Sequence, residues 1–232
     1  MLAICGGLMR TGSVAMFQIM RELVESQKVG YAPVFPLNKE IEYWESHVQF
    51  WAETTDIVVA KLHRWDYFLD SYSSFVRVVM TIRDMRDVVV SLMNFRGGTF
   101  ESSLNSDAFK GNLREQARWI LNAGDNKVMQ VRYEDFVRNR VEMTQAVADF
   151  LGIPVSRRRA WEIEQKWNIS ANLLRAKANH SPDDPEFMSK RHIQSGRVSQ
   201  WPKVLTAEQI TMVQDRVGHE WFRANGYKVW DG

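Results

Sequence analysis

A chain of 232 residues, 45% hydrophobic and 25% charged, can bury a core of its own and is too apolar for disorder or low complexity. Its formal net charge of +2 is small for a general nucleic-acid binder, and no run of about 18 apolar residues could cross a membrane. No secretory leader is expected, and the lone cysteine, Cys5, excludes an internal disulfide or a cysteine-built metal site and suits a reducing cytosol. The expectation is therefore a cytoplasmic protein forming a single domain over residues 1–232.

Leu2–Cys5 is a short apolar run that predicts a strand. The glycine-rich turn Gly6-Gly7-Leu8-Met9-Arg10-Thr11-Gly12-Ser13 follows, and then a helical pattern through Met16, Phe17, Met20, Leu23 and Val24. Asn38–Thr54 predicts a helix with Ile41, Trp44, Val48 and Trp51 on one face. Asp56–Lys61 and Phe75–Ile82 predict the second and third strands, and Asp84–Phe95 and Ser106–Ala123 predict helices. Lys127–Arg132 reads as a fourth strand, and Glu134–Leu151 as a helix stopped by Gly152 and Pro154. Ser156–Arg175 and Ala207–Ala224 close the helical set. Arg96–Asn105 and Ala176–Arg197 carry no period and read as functional loops, with a mobile lid expected around 176–201.

Apolar strands spaced by helices imply an α/β fold of three α/β/α layers around a central parallel sheet. Ligands of such folds sit outside the carboxyl ends of the strands, so the residues just after each strand are the ones to read. After the first strand, Gly7 and Gly12 have the spacing of a phosphate loop. A nucleotide-binding loop would then carry Lys followed by Ser or Thr, where Ser13 and Val14 stand. Backbone N–H groups at the helix start, with Arg10 beside them, still make an anion site, although an ordinary strand-to-helix turn would look similar. After the second strand, Lys61 and His63 are two apart and face the same way, as a general base beside an electrostatic stabiliser would, or as a merely solvated pair would. After the third, Arg83 and Ser91 can grip one phosphate only if the strand end folds back beside the next helix.

Together these segments resemble the sulfotransferases that use 3′-phosphoadenosine 5′-phosphosulfate (PAPS), over roughly residues 3 to 226. Met9-Arg10-Thr11-Gly12-Ser13-Val14-Ala15 is similar to the family loop that cradles the 5′-phosphosulfate, and Arg83–Ser91 nearly reproduces the motif whose Arg and Ser bind the 3′-phosphate. Lys61-Leu62-His63 resembles the segment with the catalytic histidine, and Tyr133-Glu134-Asp135 the one whose tyrosine lies near adenine. Gln194–Trp201 resembles the loop that closes over the 3′-phosphate. Arg10 replaces the family lysine, Val14 lacks a hydroxyl, Ala15 lacks the stacking tryptophan, and Ser199 replaces a glycine. Ser195 stands where a cation is usual, so Arg191 or Arg197 must supply that charge.

The resemblance implies a P-loop-like sulfotransferase fold and transfer of the sulfuryl group from PAPS to a hydroxyl or amine of a small or medium acceptor. It needs no metal and releases 3′,5′-adenosine diphosphate (PAP). It implies His63, Lys61 and Arg10 as catalytic residues. The donor would be held by Arg10, Thr11, Gly12, Ser13, Val14, Arg83, Ser91, Tyr133, Ser195, Gly196 and Arg197. His180 and His192, in the irregular segment, are further candidates for acceptor contact. A small-molecule kinase, from the glycine spacing, and a non-catalytic nucleotide-binding protein are the alternatives.

Overall fold

The computed structural model describes residues 1–33, 41–65, 67–178 and 196–232. Five parallel strands, β1 (Leu2–Gly7), β2 (Gly30–Tyr31), β3 (Ile57–Leu62), β4 (Val76–Ile82) and β5 (Val128–Arg132), form one sheet in the order β2-β3-β1-β4-β5. The chain winds out to β2 and β3 on one side of β1 and then crosses to β4 and β5 on the other. That reversal opens a crevice at the carboxyl end of β1, where such sheets bind ligands. The register sets Cys5 beside Lys61 and Gly7 beside Thr81, so the segments after β1, β3 and β4 emerge together.

β1 is buried along its whole length, as a central parallel strand must be. Its side chains alternate between two cores. Ala3 and Cys5 join Val59, Val79 and the apolar face of α1 (Ser13–Ser26), together with residues of α7 (Arg140–Leu151) and α8 (Arg157–Trp167). Leu2 and Ile4 join Val58, Val78, Met80 and Trp119 on the opposite face. There α2 (Ile41–Glu53), a 3-10 helix over Tyr67–Phe75, and α5 (Asp107–Ala123) supply the cover. A third cluster ties α3 (Met85–Arg96) and α4 (Phe100–Leu104) to the C-terminal helices α11 (Ala207–Val217) and α12 (His219–Ala224).

The structure corrects several expected boundaries. The two-residue edge strand β2 is too short to carry a pattern. Glu134–Leu151 is two helices, α6 (Tyr133–Arg138) and α7, parted at Asn139, which leaves helical conformation at φ −128°, ψ 54°. Ser156–Arg175 becomes α8 and α9 (Ile169–Ala178); Asn168 turns extended between them, and its side chain accepts from the Ala171 N–H. Ala207–Ala224 breaks at Gly218, where φ is 90°. The aperiodic stretch Arg96–Asn105 contains α4, too short for a period and started by a Thr99 side-chain cap.

Trp119 is fully buried and meets Trp65 edge-on at 5.2 Å between ring centres. Trp119→Ala should lower unfolding free energy by about 3–5 kcal/mol through lost burial and the cavity left behind, read as a fall in the urea midpoint. A loss under about 1 kcal/mol would mean that the face of the sheet covered by α5 collapses to refill the hole.

Candidate active site

The turn between β1 and α1 closes because two positions lack a side chain. A Cβ on Gly7 would lie 2.2 Å from Cβ of Ser13. Gly12 has φ 89°, and a Cβ there would strike the Tyr133 ring at 2.6 Å. Inside the turn, Thr11 is fully buried; its hydroxyl donates to the Leu8 carbonyl at 2.6 Å and pairs with the Thr81 hydroxyl at 2.8 Å. That hydroxyl is thereby committed within the protein, and Thr11 can offer a ligand only its backbone. The N-cap Gly12 offers α1 no side-chain cap and no acidic residue sits in its first turn, so among the described residues this N-terminus keeps the partial positive charge that attracts anions.

Two guanidinium groups face this turn. Arg10 adopts a left-handed backbone, φ 68°, which directs its Nε to the Ser91 hydroxyl at 3.0 Å, with its guanidinium 4.5 Å over the Phe95 ring. Arg83 leaves the end of β4, is only 6% exposed, and lies 4.4 Å over the Tyr133 ring. It donates to the carbonyls of Arg10 at 3.3 Å and Arg197 at 2.9 Å, and pairs with Asp87 at 3.4 Å. Its buried Nε has no partner among the described residues. Burial and the neighbouring Arg83 charge pull Arg10 down to about 10, against a smaller opposing effect of Tyr133. A buried and a half-buried guanidinium side by side at a helix start are together suited to a bound anion.

At the adjacent strand end, Lys61 Nζ is 2.9 Å from His63 Nε2, and His63 Nδ1 bonds the Gly7 carbonyl. A carbonyl only accepts, so Nδ1 carries the hydrogen and, in the neutral ring, Nε2 holds the lone pair that faces Lys61. Burial pulls the Lys61 ammonium down to about 8, with the Cys5 thiol opposing it. The Cys5 thiol itself is pushed up to about 12 by burial, with Lys61 opposing, and donates to the Ser13 carbonyl at 3.3 Å.

Arg10, Thr11, Gly12, Ser13, Val14, Lys61, His63, Arg83, Ser91 and Tyr133 thus lie on segments that meet at the carboxyl end of β1. Tyr133 is only 9% exposed; its ring packs against Gly12 and under Arg83. Gly196 lies against Ile169, and the Arg197 side chain is exposed while its carbonyl holds Arg83. Ser195, Arg191, His180 and His192, and the part of the expected lid that spans 179–195, lie outside the described residues. One residue with a large share in this geometry was given no role at the sequence level. Asp87, almost fully buried, accepts the N–H groups of Ser199, Gln200 and Trp201 at 2.7, 2.8 and 3.0 Å, holding the C-terminal segment against Arg83. Its only sequence signal is its place inside the Arg83–Ser91 motif.

A family model described as a sulfotransferase domain matches residues 4–226. No curated protein matches the sequence. Among solved structures, the mouse sulfotransferase SULT7A1 complexed with PAP superposes with a TM-score of 0.71 at 14% identity, covering 96% of this chain and 84% of that one. Retinol dehydratase in complex with androsterone and inactive cofactor PAP gives 0.65 at 14% identity, covering 93% and 79%. A sulfotransferase domain from the curacin biosynthetic pathway gives 0.55 at 11%, covering 99% and 98%. At these identities the superpositions speak for the fold.

The lowered Lys61 pKa has a consequence for stability. Between about pH 8 and the ordinary lysine value of 10.5, the unfolded chain binds a proton that folded Lys61 has lost, so stability rises with pH in that window. Above about pH 9 the unfolded Cys5 thiol ionises while the buried one does not, and this opposes the rise. Chemical denaturation between pH 8 and 9 should therefore show an upward slope of at most about 1.4 kcal/mol per pH unit that Lys61→Met abolishes. An unchanged slope in the variant would assign the effect to another group.

Proposed function

Since the chain belongs to the sulfotransferase family, we propose that it moves the sulfuryl group of PAPS to a hydroxyl or amine of a small or medium acceptor, releasing PAP. The observation that carries this reading is the convergence of Arg10, Ser91 and Arg83 on the uncapped start of α1, beside a Lys61–His63 pair. The kinase alternative drawn from the glycine spacing is not favoured: the family match covers nearly the whole chain, and the loop lacks the lysine a nucleotide kinase needs.

In this reading Arg83 and Ser91 hold the 3′-phosphate, and the 5′ end lies on the backbone of Thr11–Val14 with Arg10 beside it. Tyr133 backs the Arg83 side of the site, and Ser195, Gly196 and Arg197 belong to the closing loop over 176–201. The donor supplies an already activated sulfuryl group, so no redox step or metal is called for. His63 takes the acceptor's proton at Nε2, with Nδ1–H anchored on the Gly7 carbonyl to keep that tautomer. Lys61 now occupies Nε2; turning it toward the developing negative charge frees the base and adds stabilisation there. Arg10, next to Ser91, offsets charge on the donor side. One domain in a reducing, cytoplasmic setting completes the proposal. No helix among the described residues is long and apolar enough to cross a membrane.

PAP should raise the melting temperature strongly. At about 100 times its dissociation constant the gain is about 2.7 kcal/mol, and ATP with magnesium should give clearly less because it lacks a 3′-phosphate. Equal stabilisation by ATP with magnesium would return the kinase reading. His63→Ala should leave PAP affinity within about twofold while turnover with labelled PAPS falls about 100-fold or more. Turnover within a few-fold of wild type would mean that another group is the base.

A further inference from the structure

Helix α5 carries none of the residues assigned to the site, yet two of its buried polar residues, Asn112 and Glu115, each under a tenth exposed, hold segments beside it. Asn112 is 3% exposed and grips a single peptide residue from both sides. Its Oδ1 accepts the Met9 N–H at 2.8 Å and its Nδ2 donates to the Met9 carbonyl at 2.9 Å. A side-chain amide here does what a neighbouring strand would do, satisfying both polar groups of a residue that has left the sheet. Three residues further along α5, Glu115 accepts the Trp65 N–H at 3.2 Å, just beyond His63, so the same helix face also holds the segment after the histidine.

The grip falls immediately before the most strained point of the turn. Arg10 follows Met9 and adopts φ 68°, a left-handed backbone that an arginine enters only when its surroundings enforce it. Asn112 fixes the chain on one side of that residue, and Arg83 and the Thr11 hydroxyl fix it on the other. We propose that Asn112 is a positioning residue for the sulfate-donor loop: by clamping Met9 it keeps Arg10 left-handed and the backbone of residues 10–13 turned toward the donor's 5′ end. This rests on the reading that the 5′ end lies on that loop. Without the clamp, both Met9 groups lose their partner, Arg10 relaxes to an ordinary backbone conformation, and the loop must be reordered at each binding event.

The test separates the two ends of the donor. PAP carries both phosphates, whereas adenosine 3′-monophosphate lacks the 5′ one and leaves only the Arg83–Ser91 end to be read. Calorimetric affinities for both should show wild type preferring PAP. In Asn112→Ala, affinity for adenosine 3′-monophosphate should fall modestly, because Arg10 also bonds Ser91 and Arg83 at that end, while affinity for PAP falls further, so that the preference for PAP shrinks about tenfold or more. Asn112→Asp preserves the shape and the acceptor for the Met9 N–H but sets a carboxylate against the Met9 carbonyl, so it should lose preference in the same direction. Retention of the full preference by either folded variant overturns the positioning role. A parallel loss for both ligands does so too, since that marks general destabilisation, and so does failure of both variants to fold. Wild type that binds adenosine 3′-monophosphate as tightly as PAP overturns instead the placement of the 5′ end on this loop.

Discussion

A guanidinium buried to 6% exposure has to be matched from several directions, and Arg83 is matched by almost everything that shapes the crevice. Asp87, one turn along α3, gives it an anion; the carbonyls of Arg10 and Arg197 come from the β1–α1 turn and the C-terminal segment; the Tyr133 ring lies beneath it. Each partner belongs to a different element, so the solvation of one side chain gathers the ends of β1, β4 and β5 and the chain before α10 (Trp201–Val204). Asp87 extends the gathering by accepting three consecutive N–H groups at the start of α10. The Arg83 Nε is buried with no partner among the described residues.

The neighbouring Arg86 shows the same chemistry used for architecture alone. It pairs with Asp84 through two nitrogens, donates to Gln214 and to the Lys228 carbonyl, and lies between the rings of Trp201 and Phe222. Two arginines three residues apart in one motif therefore divide the work. Arg86 locks the C-terminal helices onto α3, and Arg83 ties the end of β4 to the β1–α1 turn and the C-terminal segment.

The Lys61–His63 pair adds a second constraint. Burial makes Lys61 a reluctant cation and the imidazole beside it offers a lone pair, so each group stabilises the other's present state. The Gly7 carbonyl removes the remaining freedom by holding Nδ1–H. That carbonyl is available because β1 ends there and the chain turns away, a turn that needs Gly7 to clear Ser13. The glycine read as part of a phosphate loop thus also sets the tautomer of the histidine at the end of the adjacent strand.

Several features were legible in the residues alone: the parallel α/β class, the two glycines, the cations after the first three strands and the Arg83–Ser91 motif. Each depends on local chemistry, because strand burial on both faces imposes continuous apolar runs, and anion sites need glycine, cations and a helix start in adjacent positions. Whether the strand end at Arg83 folds back beside the helix carrying Ser91 was left open by sequence; in the fold Arg10 touches both, bonding Ser91 with its side chain and Arg83 with its carbonyl. The breaks at Asn139, Asn168 and Gly218 escaped because apolar periodicity carries across a bend of one residue. Asn112 and Asp87 escaped for a different reason. A polar side chain that satisfies a backbone group about a hundred residues away leaves no pattern in its own neighbourhood. Only the packing of α5 against the loop, and of α3 against the C-terminal segment, decided which carboxylate and which amide would organise the site.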